Sequence, residues 1–320
     1  MWYTVGMKIP AKQPKTLLEA IRYFSDLDVA TEFVAKLRWP DGPVCPKCGL
    51  VDPKHYYLKT RRLWKCRACK KQFSVKVETI FEDSPLGLDK WLPAAWLIAN
   101  CKNGISSYEL AKDLGIQQKA AWFMLHRIRL AMQTGTFEKL SGEVEVDETY
   151  IGGLARNMHK SKRAEKITGT GTSGKIAVMG LLERHGKVRT KIVPDTKSRT
   201  LKVEVRENVE PGSEVHTDTF QSYQGLDAEY IHNVVDHAES YVRGHIHTNG
   251  LENFWSLLKR GIKGTYVSVE PYHLFRYLDE QAFRFNERED KDKDRFATAL
   301  GSVVGRRVTY DELTGKVVEN

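Results

Sequence analysis

The sequence predicts a mixed α/β protein: a half of alternating strands and helices, preceded by a small metal-binding module and an all-helical region. Three observations carry this. Two Cys-x-x-Cys pairs, Cys45/Cys48 and Cys66/Cys69, are separated by seventeen residues. That spacing suits a closed tetrahedral four-thiolate zinc site, structural rather than catalytic. Residues 87–133 carry helical periodicity. From Glu143 the pattern changes to apolar/polar alternation broken by turn residues, the texture of strands.

At 320 residues the chain is long enough for two or three domains. It contains no run of 18 apolar residues and no signal-peptide pattern, so a soluble cytoplasmic protein is expected. The net charge of +9 is unevenly placed: residues 1–140 hold 23 Lys and Arg against 13 Asp and Glu, and residues 141–320 hold 27 against 28. The first part is a polyanion binder by charge, and double-stranded DNA is the expected partner.

Taken in order, Thr16 to Trp39 has apolar residues at helical spacing and ends at Pro40-Asp41-Gly42, a turn signal. Between Cys45 and Lys76 there are ten Lys or Arg and one acid, Asp52, interleaved with Tyr56, Tyr57, Trp64 and Phe73. The aromatics suit a small core, and Arg61, Arg62, Lys70 and Lys71 are candidates for phosphate contact. A pair of disulfides is the alternative for the four cysteines. One leftover, Cys101, in a cytoplasmic chain argues against it.

Gly104 to Trp122 has the layout of a helix-turn-helix. Ser106 or Ser107 caps the first helix, Leu110, Ala111 and Leu114 face inward, Gly115 turns the chain, and a second helix runs from about Gln117 past Arg129. Gln117, Gln118 and Lys119 would then approach base edges or phosphates. A plain helical hairpin reads equally well from this stretch alone. Thr134 to Gly142 reads as a linker.

Glu143 to Gly153 is a strand running into two glycines. Lys175 to Arg184 and Lys187 to Val193 form a hairpin around His185-Gly186, Leu201 to Asn208 a helix, and Ser213 to Asp218 a fourth strand. A short helix over Phe220 to Leu226 and a strand over Tyr230 to Val235 follow, then two helices, the second through Pro271 to Asn286. Three antiparallel strands, a helix and a further strand make the order of a ribonuclease H-like fold. Leu154 to Gly174, basic and rich in Gly, Ser and Thr, is expected to be a mobile loop. The expected divisions are a helical segment (1–44), a zinc ribbon (45–80), a helix-turn-helix-like region (87–133), a catalytic domain (143–286) and a tail (287–320) with no assigned role. Within that tail, Arg306 to Tyr310 reads as a strand.

His247 to Arg260 reads as a capped amphipathic helix. Asn249 is the expected N-cap, with Glu252 at capping-box spacing. Leu251, Trp255, Leu258 and Ile262 form its buried stripe. Glu252 and Lys259 are seven residues apart, about 20° from eclipsed, so they share a face. Asp147 is placed where the first strand ends and Asp218 at the end of the fourth. Three carboxylates from separate elements can hold two hard divalent cations, Mg²⁺ or Mn²⁺, that serve a phosphodiester's attacking and leaving oxygens. Glu148 competes with Asp147 for this place, and Glu145 points to the same strand face as Asp147.

These residues resemble the bacterial insertion-sequence DDE transposases with an N-terminal zinc ribbon, the IS1595 family. The matching stretches are Trp39 to Cys48, Val146 to Gly153, His216-Thr217-Asp218, His247 to Glu252 and Phe254 to Gly261. The resemblance covers roughly residues 16–286. It implies metal-dependent cleavage at element ends and strand transfer into target DNA, by a homo-oligomer on DNA, in a bacterial protein that is nucleoid-associated when bound to DNA. It assigns the triad to Asp147, Asp218 and Glu252, with Lys259 as the following basic residue. Some members carry an asparagine as third residue, for which Asn249 is the counterpart.

No Ser, Cys or Tyr with a partnered base stands out, so a metal-activated water is expected to cut first and the freed 3′-hydroxyl to attack the target. Three other readings stay open. One is a DNA-binding regulator with an inactive core. Another is a related nuclease that cleaves without joining. The third is a zinc hydrolase using the histidines at 216, 232, 237, 245 and 247, whose spacing matches no ligand motif.

Overall fold

The computed structural model describes residues 13–133, 138–153, 159–167, 169, 171–218, 221–235 and 247–315. The chain divides into two units. One comprises residues 1–133 together with 289–320, the other residues 134–288.

In the first unit, the segment expected to be helical from Thr16 forms two helices, α1 (Leu17–Phe24) and α2 (Leu27–Arg38). The break falls at Asp26, whose carboxylate accepts from the Asp28 and Val29 amides and starts α2 afresh. Three short antiparallel strands follow, β1 (Tyr56–Leu58), β2 (Leu63–Lys65) and β3 (Gln72–Phe73). Trp64 and Phe73 are buried there with Trp39 edge-on to both, whereas Tyr56 and Tyr57 are exposed. Next come α3 (Leu88–Asn100), α4 (Ser107–Leu114) and α5 (Gln118–Met132). Ser106 caps α4 through the Glu109 amide, and Gly115 ends it in the left-handed region at φ 63°.

The tail, which the sequence left without a role, packs into this unit. It returns to this unit as α10 (Asp292–Gly301) and α11 (Tyr310–Thr314). Phe296 is 1% exposed and packs its ring against Phe24, Phe33 and Trp96 at centroid distances of 5.8, 6.2 and 5.1 Å. The strand expected over Arg306 to Tyr310 does not form. Arg306 instead donates to the carbonyls of Leu130 and Gln133 at the C-terminus of α5, where unpaired carbonyls attract a cation. The unit with the tail holds 28 Lys and Arg against 19 Asp and Glu, the other unit 22 against 22, so all the net positive charge resides here.

The second unit is built on a five-stranded sheet. Its strands are β4 (Glu143–Ile151), β5 (Ile176–Glu183), β6 (Val188–Val193), β7 (Glu214–Asp218) and β8 (Ile231–Val235), in the order β6-β5-β4-β7-β8. β4, β5 and β6 pair antiparallel; β7 joins β4 parallel and β8 joins β7 parallel. Alternation sends Val144, Val146, Ala177, Met179, Leu181 and Val215 to one face, under α7 (Ser198–Asn208) with Leu201 and Val205. Val178, Leu182 and Val188 take the other face, under α8 (Asn249–Gly261) and α9 (Leu274–Asn286). The run expected to be a loop over 154–174 contains a helix, α6 (Lys160–Lys166), while 154–158, 168 and 170 lie outside the described residues. Part of the linker, 134–137, lies outside them too, as do His237, His245 and Phe220. No helix among the described residues is long and apolar enough to cross a membrane.

Candidate active site and metal centres

Asp147 and Asp218 lie on the α8 face of the sheet and Glu252 on α8 itself, and the charges of Asp218 and Glu252 both act on Asp147. Asp147 sits in the middle of β4, not at its end as expected, because β4 continues to Ile151 in register with β5. On the β7 side, however, pairing stops at Glu145 opposite His216. Asp147 and Asp218 are each two residues past that last pair, so they follow the same pleat on neighbouring strands, where the parallel ladder has ended. Glu252 stands exposed in the first turn of α8.

The electrostatics link the three. Asp147 is pushed up to about 6, first by burial and then by the charge of Asp218, with Glu252 adding to the same effect. The Trp255 indole N–H and the Glu148 amide oppose the shift. Glu148 points to the opposite face, where the Tyr223 hydroxyl donates to it. Burial, then the charges of Asp147 and Asp218, push Glu148 up to about 8. Lys259 lies in the last turn of α8, half-buried beside exposed Arg260.

The expected capping box at Asn249 and Glu252 does not form. Thr248 is the N-cap, without a side-chain cap bond, and Asn249 is the first helical residue, exposed to solvent. The acceptor comes from the sheet instead. Glu145, 1% exposed on β4, accepts the Leu251 amide at 3.0 Å, and the Arg184 guanidinium at 3.2 Å compensates its charge. Arg184 also donates to the His247 carbonyl at 2.8 Å, tying down the residue before the cap. Gly250 makes the approach possible: a Cβ there would meet Leu182 Cδ2 at 2.5 Å and Glu145 Oε2 at 2.8 Å.

A second polar bond joins α8 to β4. Trp255 Nε1 donates to Asp147 Oδ2 at 2.9 Å. Gly180, the residue directly opposite Asp147 on β5, leaves the indole its space, since a Cβ would lie 2.6 Å from the Trp255 ring. Neither bond was foreseen from the sequence. The available signal was a glycine inside the otherwise apolar strand Ile176–Glu183, which marks a close approach.

Among the described residues, three or more ligand atoms lie within 4.8 Å of one another at the four cysteines and at Glu143, Glu214 and His216. The set of Asp147, Asp218 and Glu252 is more open. The Glu143 cluster is a charge network, since Arg184 donates to Glu143 and Asn233 donates to Glu214 at 2.6 Å. His216 Nε2 lies 3.6 Å from each carboxylate. Of the histidines proposed for a hydrolase, His232 bonds Thr217 Oγ1 at 2.9 Å and His247 faces Glu145 at 3.4 Å, so the described ones do not converge on one point.

The cysteines form two equivalent knuckles. The Cys45 amide donates to Leu50 O and the Gly49 amide to Cys45 O; the Cys66 amide donates to Lys71 O and the Lys70 amide to Cys66 O. Gly49 and Lys70, each just after a Cys-x-x-Cys pair, are left-handed at φ 72° and 60°. The Cys45–Cys69 and Cys48–Cys66 sulfur separations are both 3.6 Å. A disulfide requires about 2.05 Å, whereas a tetrahedron with 2.3 Å zinc–sulfur bonds has edges of about 3.8 Å. The donor set therefore fits zinc.

The residues nominated for DNA contact divide into two groups. Arg62 is left-handed and pairs with Asp28 at 2.6 Å, and Lys70 Nζ donates to Arg67 O at 2.5 Å. Gln118 donates to Ser107 Oγ at 2.8 Å, and Lys119 Nζ lies 4.6 Å over the Tyr310 ring supplied by the returning tail. Arg61, Lys71 and Gln117 are exposed, as are Lys70 and Lys119, whereas Arg62 and Gln118 are half-buried.

Comparison with known proteins gives a consistent result. Residues 139–286 match the model of an ISXO2-like transposase domain, and residues 26–72 that of a transposase zinc-ribbon domain. The chain is 39% identical over 108 residues to an uncharacterized transposase-like protein of Haemophilus influenzae, covering 33% of this chain and 87% of that one. It is 27% identical over 244 residues to an uncharacterized protein in transposable element ISH50 of Halobacterium salinarum, covering 72% of this chain and 81% of that one.

Proposed function

The chain belongs to the IS1595 family of transposases, and from that premise we propose that it cuts and joins DNA at a site made by Asp147, Asp218 and Glu252. The observation that carries this reading is geometric: Asp147 and Asp218 stand on the same pleat, each two residues past the last β4–β7 pair, with the charges of Asp218 and Glu252 both acting on Asp147. Carboxylate oxygen donors of this kind fit Mg²⁺ or Mn²⁺. Two such ions, when bound, stabilise the attacking and leaving oxygens of a phosphodiester.

The chain's own residues do the rest. Asp147 and Asp218 project from neighbouring strands past the end of their ladder, and Glu252 closes the set from α8. Glu252, whose charge acts on Asp147, is taken as the third ligand, with Asn249 as its alternative. Lys259, on the same face of α8, meets a phosphate. The strand order and the change from antiparallel to parallel at β4 support a ribonuclease H-like core. The unit that carries the zinc ribbon and all of the net positive charge binds element ends, with Arg61, Lys71 and Gln117 available to duplex DNA. Arg62 and Gln118, half-buried and paired within the unit, serve there chiefly by holding that surface, and the exposed Lys70 and Lys119 join the residues available to DNA. Joining two ends in one event calls for a homo-oligomer on DNA.

The test is incubation of the purified protein with its own element ends, target DNA and Mg²⁺, scored separately for cleavage and joining. Asp147→Asn and Asp218→Asn are expected to abolish both reactions while end binding stays within a few-fold. Cleavage without joining supports the nuclease reading. Near-normal strand transfer by Asp147→Asn refutes the assignment.

A further inference from the structure

We propose that Trp255 is a positioning residue for the metal site: its indole N–H orients the Asp147 carboxylate and couples that orientation to the helix that carries Glu252. The inference rests on the reading of Asp147 as a metal ligand. Its own ground is geometric. Trp255 Nε1 donates to Asp147 Oδ2 at 2.9 Å, across 108 residues of chain. The indole is 4% exposed and packs among Leu251, Phe254 and Leu258 of its own helix and Val178 and Leu182 of β5. A ring held in that way cannot turn to follow the carboxylate, so the carboxylate follows the ring. Gly180 sits opposite Asp147 in the β4–β5 ladder, and any side chain there would displace the indole. The sheet thus reserves a place for the donor beside the acid.

The same helix is pinned one turn earlier, where Glu145 accepts the Leu251 amide. Glu145 and Asp147 are alternate residues on one face of β4, and their partners at 251 and 255 flank Glu252 on α8. The two bonds therefore set the position of Glu252 along β4, and the second also removes rotational freedom from Asp147. One oxygen engaged by an uncharged donor leaves the carboxylate its full charge for a cation. Groups that orient a ligand in this way characteristically change metal affinity by about 10- to 100-fold.

The experiment titrates Mn²⁺ into the full-length protein, alone and on a duplex element end, by calorimetry and by electron paramagnetic resonance of the free ion. Two variants remove the N–H. Trp255→Phe also removes ring volume, whereas benzothienylalanine at position 255 keeps the bicyclic shape with sulfur in place of N–H. Both are expected to weaken Mn²⁺ binding about 10- to 100-fold and to leave metal-free end binding unchanged. In an Asp147→Asn background neither should have a further effect. Unaltered Mn²⁺ affinity in the benzothienylalanine protein overturns the proposal, whatever Trp255→Phe does, because the residue then acts by packing alone. If Trp255→Phe fails to fold, the isostere decides. If Asp147→Asn itself binds Mn²⁺ normally, it is the ligand assignment that fails, a result distinguishable from the first.

Discussion

Phe296→Ala is expected to loosen the N-terminal unit although it lies 163 residues of chain beyond that unit's first segment, which ends at Gln133. The side chain is 1% exposed, and its ring lies against Phe24 of α1, Phe33 of α2 and Trp96 of α3. Truncating a buried phenylalanine costs about 3–5 kcal/mol, the lost transfer energy plus the cavity left behind. The upper part of that range is appropriate here, since the cavity would be walled by three rigid rings on three helices that cannot collapse onto it together. About 4 kcal/mol shifts an equilibrium nearly a thousandfold and is a large share of a typical domain's stability of about 5–15 kcal/mol. Hydrogen exchange read by mass spectrometry on the full chain resolves the units separately. Amides of α1, α2, α3 and α10 should exchange faster and those of β4, β5 and β7 should not. DNA binding should weaken with them, while Mn²⁺ binding by the second unit persists. Unchanged protection in α1 and α3 would refute the reasoning. The same packing implies that residues 1–140 alone, which the charge distribution nominates as the DNA binder, lack the helix that completes their core.

Three further outcomes are expected. Cys66→Ser should eliminate zinc and unfold the ribbon, because the metal supplies much of a small module's folding energy; a full equivalent of tightly held zinc by metal analysis would contradict it. Gly180→Ala should lower activity and stability together by displacing the indole ring from the sheet, with a cost of about 1–3 kcal/mol in denaturant unfolding; a neutral substitution would show that the ring can shift freely. For pH, the folded values of Asp147 and Glu148 are raised to about 6 and about 8. The folded state therefore binds more protons than the unfolded state from the ordinary carboxylate range up to those values, and stability is lost as pH rises through them. The second unit of the metal-free protein should melt at progressively lower temperature from about pH 5 to pH 8, with a weaker slope in Glu148→Gln and recovery on adding Mn²⁺. A melting temperature that rises over this interval would be incompatible with these shifts.

Much of this protein is legible in its sequence, because the signals are local. Two Cys-x-x-Cys pairs need only short-range backbone geometry to make their knuckles, and Ser106 and Gly115 cap α4 through neighbours within four residues. Alternation along β4 and β5 already separates two faces and puts Asp147 and Glu148 on opposite ones, but which acid faces α8 was decided by the packing of Trp255 and Tyr223. What the tertiary structure decided is where long-range partners replace local ones. Asn249 and Glu252 have the spacing of a capping box, yet Thr248 is the N-cap and Asn249 the first residue of α8, because Glu145, buried on a strand 106 residues earlier, offers the Leu251 amide a better-placed acceptor. Trp255 has the period of an ordinary core residue, and only the gap above Gly180 brings its N–H to Asp147. The tail shows an apolar helix whose counterpart lies at the other end of the chain. Periodicity identifies a face that must be buried, but it carries no information about the surface that buries it, because apolar burial is non-directional and indifferent to chain distance.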